Sequence, residues 1–311
     1  MKGEIVHTQS STQKPLLFGF AALAVIGLWL IIPAGRRLAG QFLDSLRMDK
    51  PQTVNVNLNQ FVGPSANRSL QQMVTQMISS NVTTTLNEPE QQVATVADAS
   101  TAAGFHVEAF KARSEAPAIT VDGAHAYKMT VDRARLQAIL DEAGRKDLVV
   151  PASVNGAAVS VKIPRAVVMH YGTCPGPSSA AANITAPTPT TTHFDNCLIL
   201  REGPSPQIDA PQNIQIPRLA EIGMEVAGMT PDQAHEFLSH VSWQALLGVS
   251  FPRFLRTYRT VNVQGVSGTL LTLGARQGPD YALIWAKDGI VYSLRGFGNS
   301  DQAVQLAQSL Q

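Results

Sequence analysis

Between Pro15 and Gly35 the chain carries no charged side chain, and Leu16 to Ile32 reads LLFGFAALAVIGLWLII. At about 1.5 Å rise per residue, a helix over this stretch and its uncharged flanks reaches the ~30 Å thickness of bilayer hydrocarbon. A buried helix of a water-soluble domain keeps some polar face over such a length, and this one keeps none. Trp29 stands near one end, where an interfacial aromatic belongs. The stretch therefore reads as a membrane-spanning helix. The rival is a cleavable signal peptide, since Lys2 and Lys14 precede the apolar run as an n-region would. Against cleavage, Ile32-Pro33-Ala34 followed by Gly35-Arg36-Arg37 is a poor match to the small-residue A-x-A junction.

Orientation is contested within the sequence. Lys2 and Lys14 lie before the span, whereas Arg36, Arg37, Arg47 and Lys50 lie after it, so the positive-inside count favours a cytoplasmic C-terminal part. Long hydrophilic domains, however, translocate largely regardless of such charges. The sequence beyond the span is rich in Thr, Ser, Asn, Gln and Pro and poor in Lys, as exported domains are. The expected layout is a cytoplasmic tail at 1–14, a transmembrane helix at 15–35, a juxtamembrane stalk or entry region at 36–92, and an extracytoplasmic α+β domain at 93–311. Within that domain, 175–195 is expected to be a flexible loop, because PGPSSAAANITAPTPTTT has no charge and too little apolar surface to offset the entropy of ordering it.

Composition narrows the classes of function. Lys and Arg number 24 against 23 Asp and Glu, a formal net charge of +1, which removes the basic footprint expected of a nucleic-acid partner. Only 15% of residues are charged, below the ~25% of ordinary soluble domains, while 44% are hydrophobic, which argues against global disorder.

Turn chemistry predicts antiparallel sheet. Asp122-Gly123 separates AITV from AHAYKM, Asn155-Gly156 separates Val149–Val154 from AAVSVKI, and Asp288-Gly289 separates YALIWAK from IVYSL. Asn-Gly and Asp-Gly supply the positive φ angles of two-residue hairpins, so all three predict hairpins. TVNVNL from Thr53 to Leu58 alternates as a strand. Helices are expected at Leu70–Ile78, at Asp132–Ala143 with Gly144 as stop, after the capping box Thr230-Pro231-Asp232-Gln233, and from Asn299-Ser300 to the end. The fold class is thus α+β: one N-terminal transmembrane helix, then an exterior domain of antiparallel sheet with short packed helices.

Few residues point to chemistry. Cys174 and Cys197 bracket the 175–195 segment, and His170 and His193 each stand four residues before a cysteine. Two readings are open: a disulfide closing the segment, or a zinc site of two imidazoles and two thiolates. The disulfide is the blander and suits an oxidising exterior. His235-Glu236-Phe237-Leu238-Ser239-His240 resembles a zinc-protease helix, but histidines five apart sit about 140° away from each other round the helix. No nucleophile elbow, phosphate-binding loop or dinucleotide fingerprint occurs, so no catalytic residue and no cofactor are assigned. Trp285 and Tyr292 are expected to face each other across the Asp288-Gly289 hairpin, as core rather than ligand box.

Two stretches together resemble a known family: Val96 to Phe110, containing ADASTAAGFHVEAF, and Gly265 to Leu310, containing Gly268-Thr269-Leu270, LIWAKDGIVYSLRG and AVQLAQSL. They are similar to the extracytoplasmic domain of unknown function found in C-terminal regions of some transmembrane anti-sigma factors and related bacterial membrane proteins. The resemblance implies a helix leading to a Gly-Phe and a strand, then a Trp-containing hairpin and a terminal helix. It also implies an envelope-facing sensory, binding or accessory module. The family's cytoplasmic sigma-binding domain has no counterpart in the 14 residues before the span. The expected function is therefore a single-pass, membrane-anchored module that binds a protein or envelope component and accompanies anti-sigma-type signalling. The alternatives are a tethered hydrolase or metal-dependent enzyme using His170, Cys174, His193 or Cys197, and a structural envelope protein.

Overall fold

The computed structural model describes residues 52–57, 67–111, 113–147, 149–150, 152–174, 196–212, 214, 216–226, 228–241, 254–273 and 280–311. The apolar stretch 15–35 and the segment 175–195 lie outside them. No helix among the described residues is long and apolar enough to cross a membrane.

In chain order the strands are β1 Gln52–Asn57, β2 Val82–Asn87, β3 Gln91–Val93, β4 Ala118–Asp122, β5 His125–Thr130, β6 Ala158–Ile163, β7 Ala166–Tyr171, β8 Leu198–Pro204, β9 Gln207–Asp209, β10 Phe254–Val263, β11 Val266–Leu273, β12 Tyr281–Lys287 and β13 Ile290–Gly296. The helices are α1 Arg68–Asn81, α2 Val96–Ala103, α3 Arg133–Glu142, α4 Ile216–Val226, α5 Pro231–His240 and α6 Asp301–Gln308. Among the described residues the fold is α+β. Nine strands form one sheet in the order β1-β10-β11-β12-β13-β8-β7-β4-β3, four form a second in the order β2-β5-β6-β9, and neighbours run antiparallel throughout.

Two hairpins follow from turn chemistry. Asp288 (φ 52°) and Gly289 (φ 80°) join β12 to β13, with Lys287 opposite Ile290, as the sequence predicts. Gln264 (φ 50°) and Gly265 (φ 84°) do the same for β10 and β11, where Asn262 Oδ1 accepts from the Gly265 N–H at 3.1 Å.

The other two Asx-Gly pairs are not hairpins. After Asp122-Gly123 the chain leaves the nine-stranded sheet, since β4 pairs with β3 and β7 whereas β5 pairs with β2 and β6. Gly123 is required for space instead: a Cβ there would stand 2.3 Å from the Glu88 carbonyl oxygen. Before Asn155-Gly156 lies a 3₁₀ turn, Ala152–Val154, not a strand. Asn155 Oδ1 accepts from the Arg133 N–H, and the Gly156 N–H donates to the Val131 carbonyl, so this turn serves the start of α3.

Each sheet has its own core. On the four-stranded sheet α1 buries Leu70, Val74 and Met77, and α3 buries Leu136, Ile139 and Leu140, against Tyr127, Met129, Val159 and Val161. Ala134, two residues before Leu136 in α3, is exposed. The entry region thus contributes α1 to one core and β1 to the edge of the large sheet beside β10. On one face of the nine-stranded sheet α2 and α6 bury Ala99, Ala303 and Ala307 over Leu200, Leu283, Leu294 and Trp285. The strand expected after Gly104-Phe105 is replaced by a single bridge, Phe110 to Leu310, because this backbone pairs with the chain end: the Ala109 N–H donates to the Gln311 carbonyl at 3.0 Å and the Gln311 N–H returns a bond at 3.2 Å.

The capping box at α5 forms in both directions, Gln233 N–H to Thr230 Oγ1 at 3.2 Å and Thr230 N–H to Gln233 Oε1 at 3.0 Å. It aims Phe237 at Tyr258 on β10, rings edge to face at 5.1 Å. Thr230→Ala is expected to cost about 1 kcal/mol in urea unfolding. An unchanged midpoint for Thr230→Ala would mean the cap is not limiting.

Candidate functional site

The strand LILREGP places Leu198, Leu200 and Glu202 on one face by simple alternation, and that face is the covered one. Register sets a row across the sheet: Gly268, Trp285, Tyr292, Glu202 and Val167 stand opposite one another on β11, β12, β13, β8 and β7. Trp285 and Tyr292 stack with ring centroids 5.0 Å apart and planes 4° from parallel, as the hairpin register predicts. A Cβ on Gly268 would stand 3.2 Å from the Trp285 Cβ, so the row is tight at that end.

Glu202 is the anomaly in this row. Its exposure is 0%, in a face otherwise filled by Leu, Val, Met, Tyr and Trp. Its Oε2 accepts from the Glu108 backbone N–H at 3.0 Å, and its Oε1 is buried with no hydrogen-bond partner among the described residues. Glu108 Oε2 and Trp285 Nε1 are likewise buried without partners. Burial pushes the Glu202 carboxyl up from 4.5 to about 8; the backbone N–H pulls against that and the neighbouring Glu108 charge adds to it. Burial also raises Tyr292, with Glu108, Glu202 and Asp288 adding to the shift. A carboxyl of this kind is neutral at pH 7.

The opposite face carries a second polar group. Asp122 on β4, His170 on β7, Arg201 on β8, and Ser293 and Arg295 on β13 share it, with Arg201 directly opposite Ser293. Arg201 Nη2 donates to Asp122 Oδ2 at 3.5 Å. Burial, then the Arg201 charge, push the Arg295 guanidinium down to about 9. Burial followed by Arg295 lowers His170, with Asp122 opposing.

Cys174 and Cys197 are joined in a disulfide, Cα atoms 4.9 Å apart, which ties the end of β7 to the start of β8. Each sulfur being bonded to the other, neither is a thiolate ligand, so the bonded pair takes two of the four donors out of the zinc reading. His170 lies on β7 within the polar face just described, and His193 lies outside the described residues. Among the described residues no group of three or more His, Cys, Asp or Glu is placed to hold a metal ion. His235 Nδ1 is 2.7 Å from Glu221 Oε1, an α5 to α4 contact rather than a ligand pair.

Beside the disulfide lies a cleft of about 650 Å³, lined by Arg113, Asn196, Leu198, Tyr281, Phe297 and Leu306 among others. Arg113 is tied down on three sides: an ion pair with Glu115 at 2.5 Å, a hydrogen bond to the Asn196 carbonyl at 3.4 Å, and a position 5.9 Å over the Tyr171 ring. The Tyr281 ring crosses Gly296, where a Cβ would meet its hydroxyl at 2.1 Å.

Neither Glu202 nor this cleft is singled out by motif reading. The signal for Glu202 was present: an acid two residues after Leu200 in an otherwise apolar strand falls on the buried face by period two. Comparison with family models, with curated proteins and with solved structures finds no match to this chain.

Proposed function

We propose that this chain is a non-enzymatic, single-pass membrane protein whose α+β domain lies outside the cytoplasm and binds a protein or envelope component, as an accessory to anti-sigma-type signalling. The observation that carries this reading is the Cys174–Cys197 disulfide, since such bonds persist in oxidising compartments. The uncharged stretch from Pro15 to Gly35 supplies the anchor, and the resemblance of Val96–Phe110 and Gly265–Leu310 supplies the signalling context. Binding rather than catalysis is supported by the cleft at the disulfide. Its walls combine aromatic, aliphatic and amide groups, and its Arg113 is neutralised by Glu115.

Thiol labelling tests the placement. In intact cells with a permeable outer layer, a membrane-impermeant maleimide is expected to modify Cys174 and Cys197 only after an impermeant reductant. Labelling that needs rupture of the inner membrane, or that proceeds without reductant, would sink the reading.

A further inference from the structure

We propose that Glu202 is a proton-binding site that couples solvent pH to the docking of residues 105–110 and of the chain's C-terminal end on the nine-stranded sheet. The ligand is the proton, released to solvent as the carboxyl becomes a carboxylate. The site itself stands wherever the domain resides; only its assignment to extracytoplasmic pH rests on the reading above.

Geometry makes the site. Glu202 is fully buried, and what lies over it is the segment following α2, whose Glu108 N–H it accepts at 3.0 Å. That segment is held at one end by the Val107 N–H to Ser100 Oγ bond at 3.0 Å. At the other it holds the chain end through the paired Ala109–Gln311 bonds and the Phe110–Leu310 bridge. Among the described residues, Trp285 on β12 stands beyond Tyr292 in the same row with its buried Nε1 unpartnered, and Lys287, two residues along β12, donates to Gln264 Oε1 at 2.8 Å. Tyr292 faces Glu202 from β13 and Val167 from β7, with Tyr171 further along β7 opposite Leu198, while Glu108 faces it from above. Asp288 adds a further negative charge near Tyr292. Arg113 spends its charge over the Tyr171 ring and on Glu115. From α2 and α6 the buried groups on this face are Ala99, Ala303 and Ala307, which do not titrate. Among the described residues no cation pairs with either carboxyl.

Consequently an ionised Glu202 has one N–H to offset the loss of water, and a second carboxylate beside it. Removing a charge from water costs several kcal/mol when it is unpaired, and the accessible relief is to lift the covering segment and let water in. Lifting it also frees the Ala109–Gln311 pair. The neutral carboxyl has no such penalty, so protonation docks the segment and deprotonation loosens it, with burial placing the midpoint near pH 8.

Hydrogen exchange on the full-length protein in detergent tests this. After correction for the intrinsic pH dependence of exchange, protection of residues 105–111 is expected to fall by about a hundredfold between pH 6 and pH 8 in the wild type, one factor of ten per unit while only the docked carboxyl keeps its proton, and to level off from there to pH 9.5. Glu202→Gln is expected to abolish that fall. Glu108→Gln removes the neighbouring negative charge and is expected to move the midpoint to lower pH, and it serves alone if Glu202→Gln does not fold. Flat protection in the wild type, the same fall in Glu202→Gln, or an unmoved midpoint in Glu108→Gln overturns the proposal. None of these readouts depends on where the protein resides, so failure here and failure of thiol labelling are separable.

Discussion

In guanidinium unfolding at pH 9, Glu202→Gln is expected to gain stability relative to its own wild-type difference at pH 4, by on the order of 4 kcal/mol. The sign follows from proton counting. The folded carboxyl has its pKa raised from 4.5 to about 8. Between those values the folded protein binds a proton that the unfolded chain has lost. The associated stability is fully present below 4.5 and is lost as pH rises through 8, after which it stays lost. Glutamine has the same shape and no such titration. Its buried amide carries a cost of about 1–3 kcal/mol for an unpartnered polar atom, but that cost is the same at both pH values and cancels in the comparison. Parallel stability profiles for the two proteins from pH 4 to pH 9 would show that Glu202 titrates in the folded state as it does in the unfolded one.

The second large effect is expected at the disulfide. Cys174 and Cys197 are 23 residues apart in sequence, and a closed loop of that length contributes about 3 kcal/mol through the entropy it removes from the unfolded chain. Replacing both cysteines by serine, or reducing the wild type, is expected to lower unfolding stability by that amount. Local fraying adds to it, because Tyr171 pairs with Leu198 at this end of the sheet and Gly172 packs where a Cβ would stand 2.4 Å from the Asn196 carbonyl. Equal stability with and without reductant would mean that the native packing here does not depend on the link. Reduction acts at the end of β7 and the start of β8, whereas pH acts at Glu202, further along β8 than Cys197, so the two effects should combine nearly additively in the doubly altered protein.

How much of this is readable from residues depends on whether the determinant is local. Thr230-Pro231-Asp232-Gln233 and Asp132 start helices where expected, because caps are satisfied within one turn. Asp288-Gly289 makes its hairpin since Trp285 and Tyr292, on either side, want the same buried face. Asp122-Gly123 has the same two letters and a different fate, decided by Glu88 some 35 residues earlier: its carbonyl occupies the space above Gly123, and its carboxylate accepts from the Ala124 N–H and pairs with Arg165. Nothing adjacent to the turn reports that partner. Glu202 is intermediate. Period two puts it on the apolar face, but only the β8 to β13 and β8 to β7 registers show that Tyr292 and Val167 flank it and that no basic group does.

The pairing of β1 with β10 has a bearing on the order in which the molecule can be completed. Asn57 meets Phe254 across the sheet, roughly 200 residues later in the chain. During synthesis or threading from the N-terminus, β1 therefore emerges long before any strand exists to receive it, and it must wait in an unpaired state while α1, β2 and the four-stranded sheet assemble. Contacts so distant in sequence form late and slowly. Because β1 occupies an edge, its wait does not hold up the rest, and β1 can join no earlier than the emergence of β10.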